Sequence, residues 1–328
     1  MIFSNTIMFA SMLIISTIII ISSPSWICMW MGLEINMMAF IPILHQSKNK
    51  LATESSIKYF LTQAFASVIM LFAIIMTTQQ DFNLIMSNSS IILMASGIKL
   101  GAAPFHMWFP PVAEGLPWLQ NFILMTWQKI APLYIMSLMM QHPLMFIMVL
   151  ASAIIGSVNA LNQSSMRKIM AYSSITHMSW MIAPMIINSS MWMIYMLIYF
   201  ITTMIMLISF STFNIYHTSQ MMMLSTSMLI ISLFTINFLS MGGFPPLFGF
   251  MGKWLILNLL IEANMTLIPM VMVMSSWMNM YIYLRIIHPL IMIKSSQLKI
   301  NFVNQSHLMI LSMLTLLSTM GMTSIILM

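Results

Sequence analysis

The chain consists of apolar runs of about 20 residues separated by short polar links, and a run of that length crosses the roughly 30 Å hydrocarbon core of a bilayer as one α-helix. Only 5% of the residues are charged and 60% are hydrophobic. An ordinary soluble domain has about 25% charged residues. Soluble folds are therefore excluded, and the sequence predicts an all-α polytopic membrane protein.

Eleven apolar runs follow one another along the chain. The ninth is too long for one straight crossing and carries Gly and Pro at 242–246, so we expect two half-helices there. The predicted transmembrane helices span residues 3–22, 25–44, 56–79, 90–112, 118–140, 144–162, 169–188, 191–215, 223–260, 265–286 and 306–327.

The basic residues of the links lie on one predicted side of the membrane. They follow spans 2, 6 and 10, whereas the links after spans 1, 3, 5, 7 and 9 carry no Lys or Arg. This positive-inside pattern predicts that the N-terminus lies on the positively flanked face and the C-terminus on the opposite face. The residues are Lys48, Lys50, Arg167, Lys168, Lys294 and Lys299, with Lys58 and Arg285 at helix ends, against Asp81 and Glu262 on the other side.

Spans 1–5 and 6–10 form two blocks of five, and an odd number of crossings inverts the second block relative to the first. The fourth span of each block is interrupted by Gly and Pro and carries a lysine, Lys99 in one and Lys253 in the other. Matching broken helices in inverted halves are typical of transporter sites near mid-membrane. We therefore predict repeats over 1–140 and 144–287, followed by a linker and a C-terminal helix over 288–328.

Four charged residues fall near the middle of predicted spans: Glu34, Lys99, Lys129 and Lys253. A Lys at the bilayer centre costs roughly 2.5–3.5 kcal/mol, so such residues usually face a protein interior or water. A purely structural Glu34–Lys99 ion pair is one interpretation, but no acidic residue within the spans lies near the other two lysines. Because burial disfavours the charged form and an opposite charge restores it, such lysines are suited to taking up and releasing protons.

Two histidines allow two interpretations each. His177, in the middle of span 7, is either a hydrogen-bonded core residue or a proton relay. His106 lies beside the break of span 4 and is open to the same alternatives. Lys58 follows Glu54 by four residues at a predicted helix start, where an interfacial ion pair is expected.

Several classes of function are excluded by what the sequence lacks. The single cysteine, Cys28, cannot support an iron–sulfur cluster, a cysteine zinc site or an internal disulfide. There is no GxGxxG, no P-loop and no basic run interleaved with aromatic residues, which argues against nucleotide and nucleic-acid binding.

Five ordered motifs resemble a known family. MGLEINMMAFIPIL, GIKLGAAPFHMWFPPVAEGLPW, TWQKIAPLYI, SSITHMSWM and GGFPPLFGFMGKW are closely similar to the subunit 2 family of mitochondrial NADH:ubiquinone oxidoreductase (respiratory complex I), in a Met- and Ile-rich style typical of insects. Members of this family are antiporter-like subunits of the membrane arm of that complex. The resemblance implies an antiporter-like fold. It also implies that Glu34 pairs with Lys99, that Lys129 is the central relay lysine, and that Lys253 lies toward the proton exit.

The same resemblance implies a function and a setting. The chain is expected to be a non-redox subunit that moves a proton from matrix to intermembrane space, through the four charged residues and with His177 as a lower-ranked relay. NADH, FMN, iron–sulfur clusters and ubiquinone are expected to act in other subunits. Expected partners are the other membrane-arm subunits, including neighbouring antiporter-like ones, supernumerary subunits and lipids such as cardiolipin. The expected location is the mitochondrial inner membrane, with the N-terminus toward the matrix.

Three alternatives remain at this point. A free-standing cation/proton antiporter would share the architecture, and reconstitution of the isolated chain in liposomes would distinguish it. A structural scaffold would tolerate neutral replacement of the buried lysines. Quinone binding within this chain has no support beyond generic aromatic residues.

Overall fold

The computed structural model describes residues 2–45, 49–78, 85–139, 142–187, 189–222 and 228–292, together with Thr315 and Thr319. The described chain is almost entirely helical. Its helices are α1 (Ile2–Ser22), α2 (Trp26–Leu44), α3 (Lys50–Thr78), α4 (Ile85–Leu100), α5 (Phe109–Gly115), α6 (Trp118–Met125), α7 (Trp127–Leu138), α8 (Pro143–Ala160), α9 (Met166–Ile186), α10 (Met191–Phe213), α11 (Thr218–Met222), α12 (Met228–Gly242), α13 (Phe248–Glu262) and α14 (Leu267–Met292).

The chain divides into two compact units, Met1–Met148 and Val149–Met328. In the first, α2 packs between α1 and α3, and α4 packs against α3 and α7. Its apolar core includes Ile20, Leu33 and Met70, all buried. This packing brings the middle of α2, α3 and α7 next to the end of α4, where Lys99 lies.

In the second unit, α9 is the central helix and packs against α10, α13 and α14. It is buried along almost its whole length although it carries Ser173, Ser174, Thr176 and Ser179. Each hydroxyl donates to a backbone carbonyl one turn earlier in the same helix. The Thr176 hydroxyl also accepts from Nδ2 of Asn279 on α14. Bonds within the helix and to a neighbouring helix therefore allow a polar helix to occupy the core.

Five described helices are long and apolar enough to cross a membrane by length and composition. They are Trp26–Leu44, Lys50–Thr77, Pro143–Ala160, Met191–Phe213 and Leu267–Ile291. The broken helices α4 and α12–α13 are shorter, and α9 is more polar. The described part of the chain is therefore a helical membrane protein, and Lys99, Lys253 and His177 lie on its shorter or more polar helices.

Two predicted breaks are observed. The span predicted over 90–112 ends as an α-helix at Leu100 and resumes at His106, and the span over 223–260 is interrupted between Gly242 and Phe248. The prediction of one continuous helix over 118–140, in contrast, was wrong. The helix breaks at Thr126, whose backbone has φ −115° and ψ −71°.

Two local features accompany the extra break. The Thr126 hydroxyl donates to the Phe122 carbonyl at 2.6 Å and shares this acceptor with the Thr126 backbone amide, which lies at 3.0 Å. Pro132 has no amide hydrogen to donate to the carbonyl of Gln128. Neither residue was read as a breaker from sequence, because both are tolerated inside transmembrane helices.

Other predicted bounds differ from the structure mainly at polar ends. Helix α3 begins at Lys50 rather than at 56, because it continues beyond the apolar run, and it holds the expected Lys58–Glu54 ion pair at 2.6 Å. The last predicted span, 306–327, lies outside the described residues except for Thr315 and Thr319, and Lys48, Asp81, Lys294 and Lys299 lie outside them as well.

Candidate functional site

The end of α4 is shaped by glycine. Gly101 has φ +68°, a conformation that an L side chain rarely adopts, and a Cβ there would lie 3.1 Å from the Cβ of Phe109. At this glycine the chain leaves the helical path just after Lys99, and the last turn of α4 is closed by the backbone amides of Gly101 and Ala102, which donate to the carbonyls of Ile98 and Gly97 at 3.1 Å each. The Ala103–Pro104 peptide bond is cis.

Two side chains also donate to the last carbonyls of α4. Trp108 Nε1 donates to the carbonyl of Ile98 at 2.9 Å, and Gln63 Nε2 on α3 donates to the carbonyl of Lys99 at 3.2 Å. Exposed carbonyls at membrane depth must be satisfied inside the protein. Gln63 and Trp108 thus stabilise the break that holds Lys99 in place.

Lys99 and Lys129 line one small cavity in the first unit. Their exposed fractions are 6% and 2%. The cavity has a volume of about 20 Å³ and is also lined by Asn36, Tyr59 and Gln128. A water molecule needs roughly 10–15 Å³ by this measure and two to four polar partners, so the cavity that both lysines line has room for one water.

Glu34 lies near this site without direct contact with Lys99. The two charges are close enough to interact electrostatically. Within the described residues, neither side chain forms a salt bridge, and Oε1 of Glu34 is buried without a hydrogen-bond partner. The pair implied by the resemblance is thus present as two neighbouring groups rather than as a closed ion pair.

An aromatic row supports the cavity. Phe40, Tyr59, Trp108 and Phe109 follow one another with ring centroids 5.2, 5.9 and 5.5 Å apart. Nζ of Lys129 lies 5.4 Å from the centroid of Phe109. A cation is attracted to the face of an aromatic ring at this distance. The ring of Phe109 therefore gives the charged form of the buried Lys129 side chain a favourable contact.

Sequence reasoning missed the uncharged polar residues of this site. Tyr59 Oη donates to Gln128 Oε1 at 3.3 Å, and Gln128 Nε2 donates to Asn36 Oδ1 at 3.2 Å. Gln63 on α3 was also missed. Their signal in the sequence is weak: each is a single amide or phenol within an apolar run, and Gln128 merely precedes Lys129.

Lys253 lies at the break between α12 and α13 in the second unit. Its Nζ donates to the carbonyl of Gly242 at 2.6 Å and lies 5.8 Å from the ring centroid of Trp180. Gly243 has φ +82°, and a Cβ there would lie 2.7 Å from Nζ of Lys253. The lysine thus occupies the space that a glycine leaves at the break, and it lines a cavity of about 470 Å³.

His177 is part of an aromatic cluster in the same unit. Its Nδ1 is 2.8 Å from Oη of Tyr195, and its ring centroid is 5.1 Å from that of Tyr199. Tyr195 stacks on Trp180 with centroids 6.3 Å apart. Because Trp180 also contacts Lys253, the histidine and the lysine belong to one packed group. This placement is compatible with a relay role and with a hydrogen-bonded core role.

His106 follows the first break. Nδ1 lies 3.2 Å from the carbonyl of Pro104, and Nε2 is buried without a partner in the described part of the chain. No group of three or more His, Cys, Asp or Glu side chains could hold a metal ion among the described residues. Lys99, His106 and Lys253 therefore lie at or beside helix breaks as single buried groups, and none belongs to such a cluster of metal-binding side chains among the described residues.

Comparison with known proteins gives the family. Residues 23–279 match the family described as "NADH:quinone oxidoreductase/Mrp antiporter, TM". The chain is 45% identical over 312 residues to NADH-ubiquinone oxidoreductase chain 2 of Anopheles gambiae, covering 92% of this chain and 91% of that one. This chain belongs to the NADH-ubiquinone oxidoreductase chain 2 family. The resemblance found in the motifs, including its insect style, is confirmed.

Other members of the chain 2 family extend the match. The protein of Aedes aegypti is 42% identical over 328 residues, covering 97% of this chain and 96% of its own length. The protein of Locusta migratoria is 36% identical over 327 residues, covering 97% and 95%. The match therefore runs across both units and both helix breaks.

Solved structures agree on the fold. A chain of respiratory complex I from Thermus thermophilus with bound aureothin aligns with a TM-score of 0.86 at 20% identity, covering 97% of this chain and 78% of that one. A chain of an Mrp complex from Dietzia sp. aligns with a TM-score of 0.81 at 12% identity, covering 97% and 75%. The chain 2 family thus shares its helical arrangement with antiporter-like membrane proteins.

Proposed function

We propose that this chain is a core membrane-arm subunit of proton-pumping NADH:ubiquinone oxidoreductase in the mitochondrial inner membrane. The observation that carries the proposal is the 45% identity with an insect chain 2 over 92% of the sequence. Two helix breaks that each hold a buried lysine support a transport role. The chain is a non-redox part of the enzyme: NADH oxidation and quinone reduction take place in other subunits, which hold FMN, the iron–sulfur clusters and the quinone.

In this proposal, a proton from the matrix first loads the region of Glu34 and Lys99. It then passes to Lys129 and, with His177 as an intermediate, to Lys253, from which it leaves to the intermembrane space. The N-terminus lies on the matrix side and the C-terminus on the opposite side, as the distribution of basic links indicates. Two inverted five-helix repeats and an eleventh helix complete the proposed architecture.

The driving force is electrostatic. Moving one elementary charge across 100 mV requires about 2.3 kcal/mol. A change of two units in the pKa of an amine corresponds to about 2.7 kcal/mol. Charge changes in neighbouring subunits that alter a buried lysine by this amount are therefore sufficient to move one proton against a modest potential.

Proposed partners are the other membrane-arm subunits, neighbouring antiporter-like subunits, supernumerary subunits and lipids such as cardiolipin. Large apolar side chains point outward from the described helices, including Met270, Met274 and Trp277 on α14, which are 74%, 64% and 71% exposed. Such a surface requires lipid or protein around it.

A free-standing cation/proton antiporter is the second candidate, because the matching family description also names Mrp antiporters. Reconstitution separates the two. We expect liposomes containing only this chain to show no cation/proton exchange, whereas liposomes containing the NADH-oxidising assembly with this chain should pump protons when NADH is added. Exchange by the isolated chain, or its purification without the redox assembly, would contradict the proposal.

A further inference from the structure

Three helices of the first unit are joined by a side-chain bridge beside the cavity. The bridge consists of Tyr59 on α3, Gln128 on α7 and Asn36 on α2, whose exposed fractions are 2%, 9% and 3%. The two hydrogen bonds, 3.3 and 3.2 Å long, fix the direction of the Gln128 amide, because its oxygen accepts from the tyrosine and its nitrogen donates to the asparagine.

The two hydrogen bonds of the bridge do not use the full hydrogen-bonding capacity of its side chains. A phenol that donates one hydrogen bond keeps two acceptor lone pairs, and an asparagine that accepts through its oxygen keeps two N–H donors. Tyr59, Gln128 and Asn36 all line the cavity that Lys99 and Lys129 also line. A water in that cavity therefore finds both acceptors and donors at fixed positions.

The bridge is held in place at Tyr59 and at its central residue, Gln128. The ring of Tyr59 packs between Phe40 and Trp108, with centroid distances of 5.2 and 5.9 Å. Gln128 lies in the first turn of α7, directly after the break at Thr126, and directly precedes Lys129. Because the bridge fixes this first turn against α2 and α3, it also fixes the starting point of the Lys129 side chain.

We propose that the Tyr59–Gln128–Asn36 bridge positions one water molecule for proton exchange between Lys99 and Lys129. In the step, the ammonium of Lys99 gives a proton to the water, and the water gives one of its own protons to the neutral amine of Lys129. The water is regenerated and the total charge is unchanged. Amides do not titrate and the phenol remains protonated, so the three bridge residues position the water without carrying the proton.

This inference rests on the proposed proton-translocating function and adds positioning residues to it. The test uses the assembled respiratory complex, purified from cells with substituted mitochondrial DNA and reconstituted in liposomes. The variants are Tyr59→Phe, Gln128→Met and the double variant. The matched control is Tyr134→Phe, since that tyrosine donates to the carbonyl of Ile21 at 3.1 Å and does not line the cavity.

We expect Tyr59→Phe, which removes one hydrogen bond, to lower the rate of proton pumping roughly fivefold. Gln128→Met removes both hydrogen bonds of the bridge and should lower the rate at least as much. Both variants should increase the solvent isotope effect on pumping. The double variant should lose little more than Gln128→Met alone, because that substitution already breaks the whole bridge. Tyr134→Phe should pump as the unsubstituted complex does. An unchanged isotope effect in assembled Tyr59→Phe and Gln128→Met complexes would overturn the inference.

Lys99→Met, measured in parallel, separates this inference from the function on which it rests. Loss of pumping in Lys99→Met with normal pumping in the bridge variants refutes the bridge alone. Normal pumping in Lys99→Met refutes the lysine pathway itself. If the bridge variants fail to assemble, a high-resolution structure of the unsubstituted complex tests the inference instead. Water density within hydrogen-bond distance of Tyr59 Oη would support it, and a cavity without water density would overturn it.

Discussion

Single residues in this protein matter most where a helix is interrupted. Gly101 and Gly243 both have positive φ values, +68° and +82°, and each makes room for a neighbouring side chain. At Gly243 the neighbour is Lys253 itself, whose Nζ donates to the adjacent carbonyl of Gly242 at 2.6 Å. The glycine therefore determines both the path of the backbone and the position of the charged group.

Replacement of this glycine tests that relation. Gly243→Ala should destabilise the assembled complex by about 1–2 kcal/mol, since an L side chain is strained in the left-handed region, and should displace Lys253 because the new Cβ would lie 2.7 Å from Nζ. The midpoint of thermal dissociation and the pumping rate should both fall.

Gly97→Ala is the control for this substitution. Its Cβ would meet the flexible end of Met148, at 2.7 Å from Cε, and its backbone is helical. We expect a neutral or slightly stabilising effect there, because alanine favours the helix by about 1 kcal/mol. Equal effects of the two substitutions would show that the positive φ at Gly243 has no special importance.

The charged and glycine residues of the site were identifiable from sequence, and the amides and the phenol were not. A lysine within an apolar run has a large energetic cost and is conspicuous. Tyr59, Gln63 and Gln128 carry no such cost, since polar uncharged groups are common in membrane helices when they hydrogen-bond to neighbours. Only the packing of α2, α3 and α7 brings them to one cavity.

Among the elements, α4 shows how a membrane helix ends inside the protein. Gln63 donates to the carbonyl of Lys99, and Trp108 joins the backbone amide of Gly101 in donating to the carbonyl of Ile98. The break itself was predictable, because Gly101 and Pro104 cannot continue a regular helix. The break at Thr126 was not predictable from the sequence. Its local features are a side-chain hydroxyl and a proline six residues further along, and both are common inside membrane helices.

Removal of one replacement partner tests the account of this helix end. Gln63→Leu leaves the carbonyl of Lys99 without its hydrogen bond, at an expected cost of about 1–3 kcal/mol. Thr62→Val, one residue earlier, removes a hydroxyl that bonds only within its own helix and should cost much less. Thermal dissociation of the assembled complex measures both. A smaller effect for Gln63→Leu than for Thr62→Val would contradict the role of Gln63.

At the scale of the whole molecule, each unit contains a broken helix with a buried lysine, Lys99 in the first and Lys253 in the second, among helices that expose apolar side chains. Hydrophobic runs were sufficient to predict a helical membrane protein, and ordered motifs were sufficient to predict the family. The eleventh span and the inverted relation of the repeats remain predictions, because neither run lengths nor motifs determine how helices pack.

The most direct test of the central claim, that the buried lysines act as one proton pathway, is the number of protons pumped per NADH oxidised in liposomes containing the assembled complex. The variants are Lys99→Met, Lys129→Met, Lys253→Met and the double Lys99→Met/Lys129→Met. The control is Lys58→Met, whose lysine is exposed and paired with Glu54.

A pathway in series fails as a whole when any member is lost, so effects of residues that act as a unit are non-additive. We predict that the three single variants and the double variant share the same reduced ratio of protons to NADH, while Lys58→Met keeps the normal ratio. A normal ratio in any of the three single variants, or a clearly larger loss in the double variant, would contradict the account.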